Sequence, residues 1–343
     1  MNTKKSSPET DVAVILLFFT RKETLQKTFD VIKACRPSHL FLYQDGPRND
    51  EDRRKIEECR KVVDDSQIDW ECDVQRNYQE VNSGAYASNY RAQTWGFSLY
   101  DKCVYLEDDS TPSLTFIPFC KEMLDRYEHD ERITMITGFN TEEKTDYCPY
   151  DYFFSSCFNI WGWASWRRVV SQWDKDYSVL NDEYNVRLMS KMIHHNGHPK
   201  ALLPSMRQHS EAGTPIYETI YWSFNLLHSG LAIVPTRNMV CNSGFSGGEA
   251  SNFSGSLKTT PHRLRKMLTM PSYDVTFPLR HPPYVIEDIE FLDRQYRIMA
   301  LGKYSWVKVF RSIEELMLNL RYGNFSRIKE AIMLRWKKML NRQ

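Results

Sequence analysis

A chain of 343 residues, 41% of them hydrophobic, can bury a large core as one large domain or two small ones. Its formal net charge of +1 excludes a fold shaped as a whole by attraction to nucleic acid, and no nucleic-acid partner is expected. Eight cysteines without a C-x-x-C pair, in a chain of this length, exclude a disulfide scaffold; reduced thiols in a cytosolic protein are the expectation.

Residues 1–11 form a polar N-terminal tail, and the first element follows it as the apolar run 12–19. That run is far short of the roughly 20 residues that span a bilayer. Glu9 and Asp11 interrupt its approach, Arg21-Lys22-Glu23 follows at once, and no small-x-small cleavage site appears, so a signal peptide is not expected. A continuous apolar run suits a parallel strand covered on both faces. Residues 20–34 read as a helix, 39–43 as a second strand ending at the turn Gln44-Asp45-Gly46-Pro47, and 51–63 as a charged helix. Residues 68–75 alternate as a strand would. Asn82 or Ser83 is placed to cap a helix running to Leu99, and 103–106 is a short strand that stops at Glu107-Asp108-Asp109. A helix over 115–127 and a strand over 133–137 follow.

This alternation predicts an α/β fold with a mostly parallel sheet and right-handed crossovers. Ligands bind beyond the carboxyl ends of such strands. Thr20-Arg21, Asp45 and Glu107-Asp108-Asp109 all fall at those ends and are expected to meet in one crevice.

The second half is less regular. A strand is expected within 152–158, helices over 161–170, 182–193 and 218–228, and a strand over 231–234. Residues 242–255 form a Gly/Ser-rich loop. No clean linker separates a first half, about 12–140, from a second half, about 141–302. Residues 303–343 carry ten Lys or Arg against three Glu, a surplus of +7, so residues 1–302 carry −6. In this tail Trp306, Val309, Phe310, Ile313, Leu316, Met317 and Leu320 recur at helical spacing. The pattern fits a helix on an anionic membrane surface, which would make the protein peripheral on the inner face of a membrane. It fits equally a helix packed on the body of the protein.

Three adjacent carboxylates at a strand end repel one another, and hard oxygen ligands suit Mg²⁺ or Mn²⁺. An acidic turn with a helix cap at Asp109 or Ser110 is the alternative. His194, His195 and His198 flank Asn196-Gly197, a helix C-terminal signal, and read as structural rather than metal-binding.

The stretch Tyr105-Leu106-Glu107-Asp108-Asp109-Ser110-Thr111-Pro112-Ser113 resembles the metal-binding signature of a bacterial family of GT-A glycosyltransferases found with surface-polysaccharide genes. It also resembles the Golgi N-acetylglucosaminyltransferase I family. Other matches follow in order between about residues 12 and 285. Residues 15–21 resemble the first nucleotide-binding strand, with Arg21 where the family meets the nucleotide. Tyr43-Gln44-Asp45 resembles the strand whose Asp reads the uracil. Tyr152-Phe153-Phe154-Ser155 and Trp161-Gly162-Trp163-Ala164-Ser165-Trp166 resemble the Gly-Trp block behind the acceptor cleft. Ile216-Tyr217-Glu218 matches a Trp-Asp pair that supplies the catalytic base, Pro235 matches a proline of the following strand, and 242–255 matches a mobile loop that closes over the donor.

The resemblance implies a GT-A fold and transfer of a sugar, hexosyl or N-acetylhexosaminyl, from a UDP- or dTDP-sugar to a glycan or glycolipid hydroxyl, with inversion. It implies that Asp109 ligates Mn²⁺ or Mg²⁺, Asp108 meets the ribose, and Glu107 contacts the sugar. Thr20, Arg21 and Asp45 are donor-binding candidates. Trp161, Trp163 and Tyr217 are candidates for the acceptor cleft, and His281 for a late histidine at the diphosphate. The chain departs from the family at the base, carrying Glu218 in place of Asp and Tyr217 in place of Trp. A carboxylate at a helix start is also favoured by the helix dipole, which is the structural alternative for Glu218, and Asp182 and Glu183 are the reserve candidates for the base. A non-catalytic nucleotide- or carbohydrate-binding protein on the same scaffold is the alternative function.

Overall fold

The computed structural model describes residues 5–195, 197–243 and 256–340. The first half alternates β1 (Thr10–Phe18), α1 (Lys22–Cys35), β2 (Pro37–Gln44), α2 (Asp50–Val62), β3 (Asp73–Tyr78), α3 (Ala85–Leu99) and β4 (Lys102–Glu107). β5 (Ser110–Pro112), α4 (Phe116–Arg126) and β6 (Ile133–Thr137) complete it. The second half runs β7 (Tyr152–Ser155), β8 (Trp163–Trp166), α5 (Arg167–Val170), α6 (Glu183–His195), α7 (Leu202–Ala212), α8 (Tyr217–Leu227), β9 (Leu231–Pro235) and β10 (Val240–Asn242). Then come α9 (His262–Leu268), α10 (Ile289–Met299), α11 (Val307–Arg321) and α12 (Phe325–Leu340).

Eight strands form one sheet in the order β3-β2-β1-β4-β8-β6-β9-β7. The pairings of β1 with β2 and β4, of β2 with β3, and of β6 with β9 are parallel. β8 runs antiparallel between β4 and β6, and β7 antiparallel at the edge on β9. The apolar run of β1 is buried along nearly its whole length because α1 and α4 pack with it on one side and α3 on the other. The protein is thus an α/β fold with a mostly parallel central sheet. All eight cysteines are free thiols.

Three sequence expectations shift. The helix expected over 161–170 is cut in two: β8 occupies Trp163–Trp166, and Arg167–Val170 makes a helical turn. Gly162, at φ +64°, breaks a helix there, and an extended segment is what can satisfy ladder bonds to β4 and β6 at once. β3 begins at Asp73 rather than at 68; Ile68 and Trp70 are buried in the connection, with the Trp70 indole N–H donating to the Pro37 carbonyl at 2.8 Å. α3 starts at Ala85 with no side-chain cap, because Asn82 and Ser83 are engaged elsewhere. α7, α9 and α10 were not foreseen.

Candidate functional site

β1 and β4 lie side by side, Leu17 opposite Glu107, so their carboxyl ends open at one place. The acidic turn begins there. The Asp108 N–H donates to the Leu17 carbonyl at 2.9 Å, and the Asp108 carboxylate accepts the Phe19 N–H at 3.2 Å. The Thr28 hydroxyl, from α1, donates to the Asp108 carbonyl at 3.2 Å. The chain leaving β1 passes half-buried Thr20 and enters α1 at Arg21, whose guanidinium pairs with Asp108 and, at 2.8 Å, with Asp109. No helix follows the triplet. It leads into β5, which pairs antiparallel with β10, so the cap alternative for Asp109 and Ser110 does not hold. β10 brings the Ser243 N–H to the Asp109 carbonyl at 2.7 Å and the Asn242 amide to the Asp109 carboxylate at 3.5 Å.

Three carboxylates around one guanidinium leave the turn electronegative. Burial and the Asp109 charge push the Asp108 carboxyl up to about 6, against the pull of Arg21. Glu107 is raised well above the ordinary range by burial, then by Asp109, Asp108 and Glu218, again against Arg21. Arg21 is itself partly buried, which disfavours its charge, but Asp108 and Asp109 more than restore it. The donor set is hard oxygen throughout and fits Mg²⁺ or Mn²⁺. Among the described residues no three or more His, Cys, Asp or Glu side chains form a protein-only cage. An ion here would therefore take one or two carboxylates, Asp109 foremost, and complete its shell from a ligand, as Mg²⁺ does in phosphate sites.

Glu218 lies in the first turn of α8. Its Oε2 is buried without a hydrogen-bond partner, and burial raises its proton affinity. Its charge is felt by Glu107, which places it within electrostatic reach of the acidic turn. It also lines a cavity of about 350 Å³ with Phe158, Ile160, Leu202, Trp222, Gln295 and Met299. Gln295, from α10, is 1% exposed, and its Oε1 also lacks a partner. Two orphan acceptor oxygens in one apolar cavity call for a ligand with an apolar face and hydroxyl or amide donors. A larger cavity, about 540 Å³, shares Leu202 and Trp222 but includes neither Glu218 nor the acidic turn.

No family model matches the chain, and no curated protein matches it. Solved structures do. Apo mouse xyloside xylosyltransferase 1 is 12% identical, with 66% of this chain and 85% of that one covered, at a TM-score of 0.37. A UDP-glucose pyrophosphorylase complexed with UDP-glucose is 7% identical, with coverage of 68% and 94% and a TM-score of 0.34. A cytidylyltransferase from Leptospira borgpetersenii is 11% identical, with coverage of 48% and 63% and a TM-score of 0.28. Likenesses this loose assign no residue a role.

The structure brings Thr20, Arg21, Glu107, Asp108 and Asp109 together and sets Glu218 near them. It gives Asp45 a different task. Both its oxygens are engaged by the N–H groups of Gly46, Ser83 and Gly84 and by the Asn82 amide, at 2.9–3.1 Å. Asp45 therefore clasps the 82–84 loop and has no oxygen turned to a base. Gly46 is required beside it, since a Cβ there would lie 2.5 Å from the Val81 backbone. Trp163 is fully buried among Phe97, Tyr105, Trp173 and Tyr221, and Tyr217 is buried against Trp173, so neither stacks on an acceptor. Trp161 is half-buried, edge-on to Phe139. His281 is held by the Tyr152 hydroxyl and Glu122, and His198 by the Tyr296 hydroxyl. Asp182 caps α6, accepting the Tyr184 and Asn185 N–H groups. Residues 244–255 of the expected donor loop lie outside the described residues. Thr28, Asn242, Ser243 and Gln295 were missed; only the 242–255 match pointed near any of them.

Proposed function

We propose that the chain is a metal-dependent glycosyltransferase of the GT-A type, which moves a sugar from a UDP- or dTDP-sugar to a hydroxyl of a glycan or glycolipid acceptor. The observation that carries this is Glu218: a buried, proton-avid carboxylate, one oxygen of which has no partner, that lines a cavity suited to a hydroxylated ring and whose charge is felt at an acidic turn suited to a diphosphate-bound cation. A general base works best when its pKa lies closer to the operating pH than an ordinary carboxylate's does. Glu218 takes the proton of the acceptor hydroxyl, and Gln295 orients the acceptor in the cavity. Direct attack by that oxygen inverts the anomeric carbon. Arg21, already among the acidic residues, turns its guanidinium to the donor phosphates, which suit its planar fork. Asp109 would hold the cation and Asp108 would meet the ribose; the ion, when bound, supplies charge neutralisation for the leaving nucleoside diphosphate. A role in surface-polysaccharide synthesis follows from the sequence resemblance.

A second reading, a non-catalytic nucleotide- or carbohydrate-binding protein, is favoured by one observation. The Arg21 guanidinium pairs with both Asp108 and Asp109 and offsets their charge. A panel of nucleotide sugars tested for Mn²⁺-dependent protection against heat, followed by transfer and hydrolysis assays on the hits, separates the two. Protection that needs Mn²⁺ and is lost in Asp109→Ala, with turnover in the intact protein, is the expected result. Protection without turnover supports the second reading, and no protection by any nucleotide sugar rejects both.

A further inference from the structure

α11 is turned inside out with respect to an ordinary surface helix. Two polar contacts tie it to the body: Arg311 donates to the Ile298 carbonyl, and the Glu314 carboxylate accepts the His262 N–H at 2.8 Å, at the start of α9. Asn319 is buried, donating to the Glu315 carbonyl at 2.7 Å. The apolar stripe faces away. Trp306, Val309, Phe310, Ile313, Met317 and Leu320 are 45–64% exposed. α12 packs on α11 and continues the display with Phe325, Ile332, Met333 and Trp336, each at least half exposed. A contiguous apolar face of this extent marks an interaction site.

The charge around it selects the occupant. The exposed side chains of Lys308, Arg321 and Lys329 accompany the stripe, within a segment whose surplus is +7. A protein core would be covered by an apolar partner and has no use for that surplus; an anionic bilayer offers an apolar interior beneath a negative surface. No helix among the described residues is long and apolar enough to cross a membrane, so the face lies on it. We propose that the α11–α12 hairpin docks the protein on an anionic lipid surface, with Trp306, Phe310, Ile313 and Met317 entering the headgroup boundary. This stands independently of the catalytic reading.

The test is co-sedimentation of the full chain with phosphatidylcholine vesicles, with and without phosphatidylglycerol. The intact protein should bind the anionic vesicles, and added salt should weaken the binding. Lys308→Glu with Lys329→Glu should weaken it about five-fold or more for each basic residue reversed. Phe310→Glu with Met317→Glu should lose it, and because both side chains are exposed the unfolding temperature should be unchanged. Binding by that stripe variant as tight as the intact protein's overturns the proposal, and so does an intact protein that ignores anionic vesicles. An intact protein that self-associates without lipid, becomes monomeric in the stripe variant and binds no vesicles shows instead an interface between copies.

Discussion

Replacing Glu218 with glutamine separates catalysis from folding at one atom. The carboxylate Oε2 has no hydrogen-bond partner, so an amide in its place forfeits no bond of the folded state. Loss of proton acceptance should lower turnover about 10²–10⁴-fold, equivalent to roughly 3–5 kcal/mol of transition-state stabilisation. Donor affinity should hold, since Glu218 faces the cavity rather than the phosphates. Stability should move the other way. Burial raises the folded-state proton affinity of Glu218. Such a group favours folding while protonated, and that contribution is lost as pH rises through the raised pKa. Glu218→Gln should therefore match the intact protein's unfolding temperature at acid pH and exceed it increasingly toward neutrality. Its pH–rate profile should also lose the acid limb, which in the intact protein lies above the usual carboxylate range. Glu218→Asp should keep part of the turnover. Steady-state transfer kinetics and thermal melts across pH provide both readouts. Normal turnover in Glu218→Gln, with Asp182→Asn or Glu183→Gln inactive, would place the base elsewhere, and a lower unfolding temperature at every pH would refute the argument from burial.

Two further perturbations test the frame around the site. Arg21→Met removes the partner of two largely buried carboxylates, and a loss of about 3–5 kcal/mol is expected near neutral pH. The deficit should shrink as pH falls below about 6, where Asp108 takes up its proton and the pairing matters less; chemical denaturation at several pH values measures it, and a pH-independent deficit would exclude the ion pairs as its source. Asp45→Ala should cost about 2–4 kcal/mol, because three backbone N–H groups and the Asn82 amide lose one charged acceptor. Nucleotide protection should persist in that variant when the melts are compared at equal stability, and selective loss of uridine binding would restore Asp45 as a base reader.

The donor side of the fold was legible because its signals are local. The run from Val12 to Phe19 can only be a covered strand, and the triplet follows a strand directly. The Trp block was misread as helical because Trp163 and Trp166 stand three residues apart, a spacing a helix also satisfies; β4 and β6, distant in sequence, impose the extended form. Asp45 looked like a ligand reader because its clasp partners, Asn82, Ser83 and Gly84, lie 37–39 residues further on, beyond any pattern in the sequence. The stripe of α11 was visible as a period, but periodicity says which residues share a face and not which way the face turns. Arg311 and Glu314 decide that, by bonding to Ile298 and His262 of the body. Gln295 carries no sequence signal, since its importance is the absence of a partner inside a cavity.

The reversed strand β8 ties the two halves of the sheet into one folding event. It is the central rung, pairing Lys102 with Trp166 on one side and Ile136 with Ala164 on the other. Within the sheet of the described residues, the four-stranded group β3-β2-β1-β4 and the group β6-β9-β7 are joined through it. Neither can complete its ladder until a segment made some sixty residues after β4 returns to lie between them. Closing that loop precedes its reward, so the sheet assembles slowly and through non-local pairing. Once β8 is seated, loosening either group exposes ladder bonds of the other, and denaturant should dismantle both together.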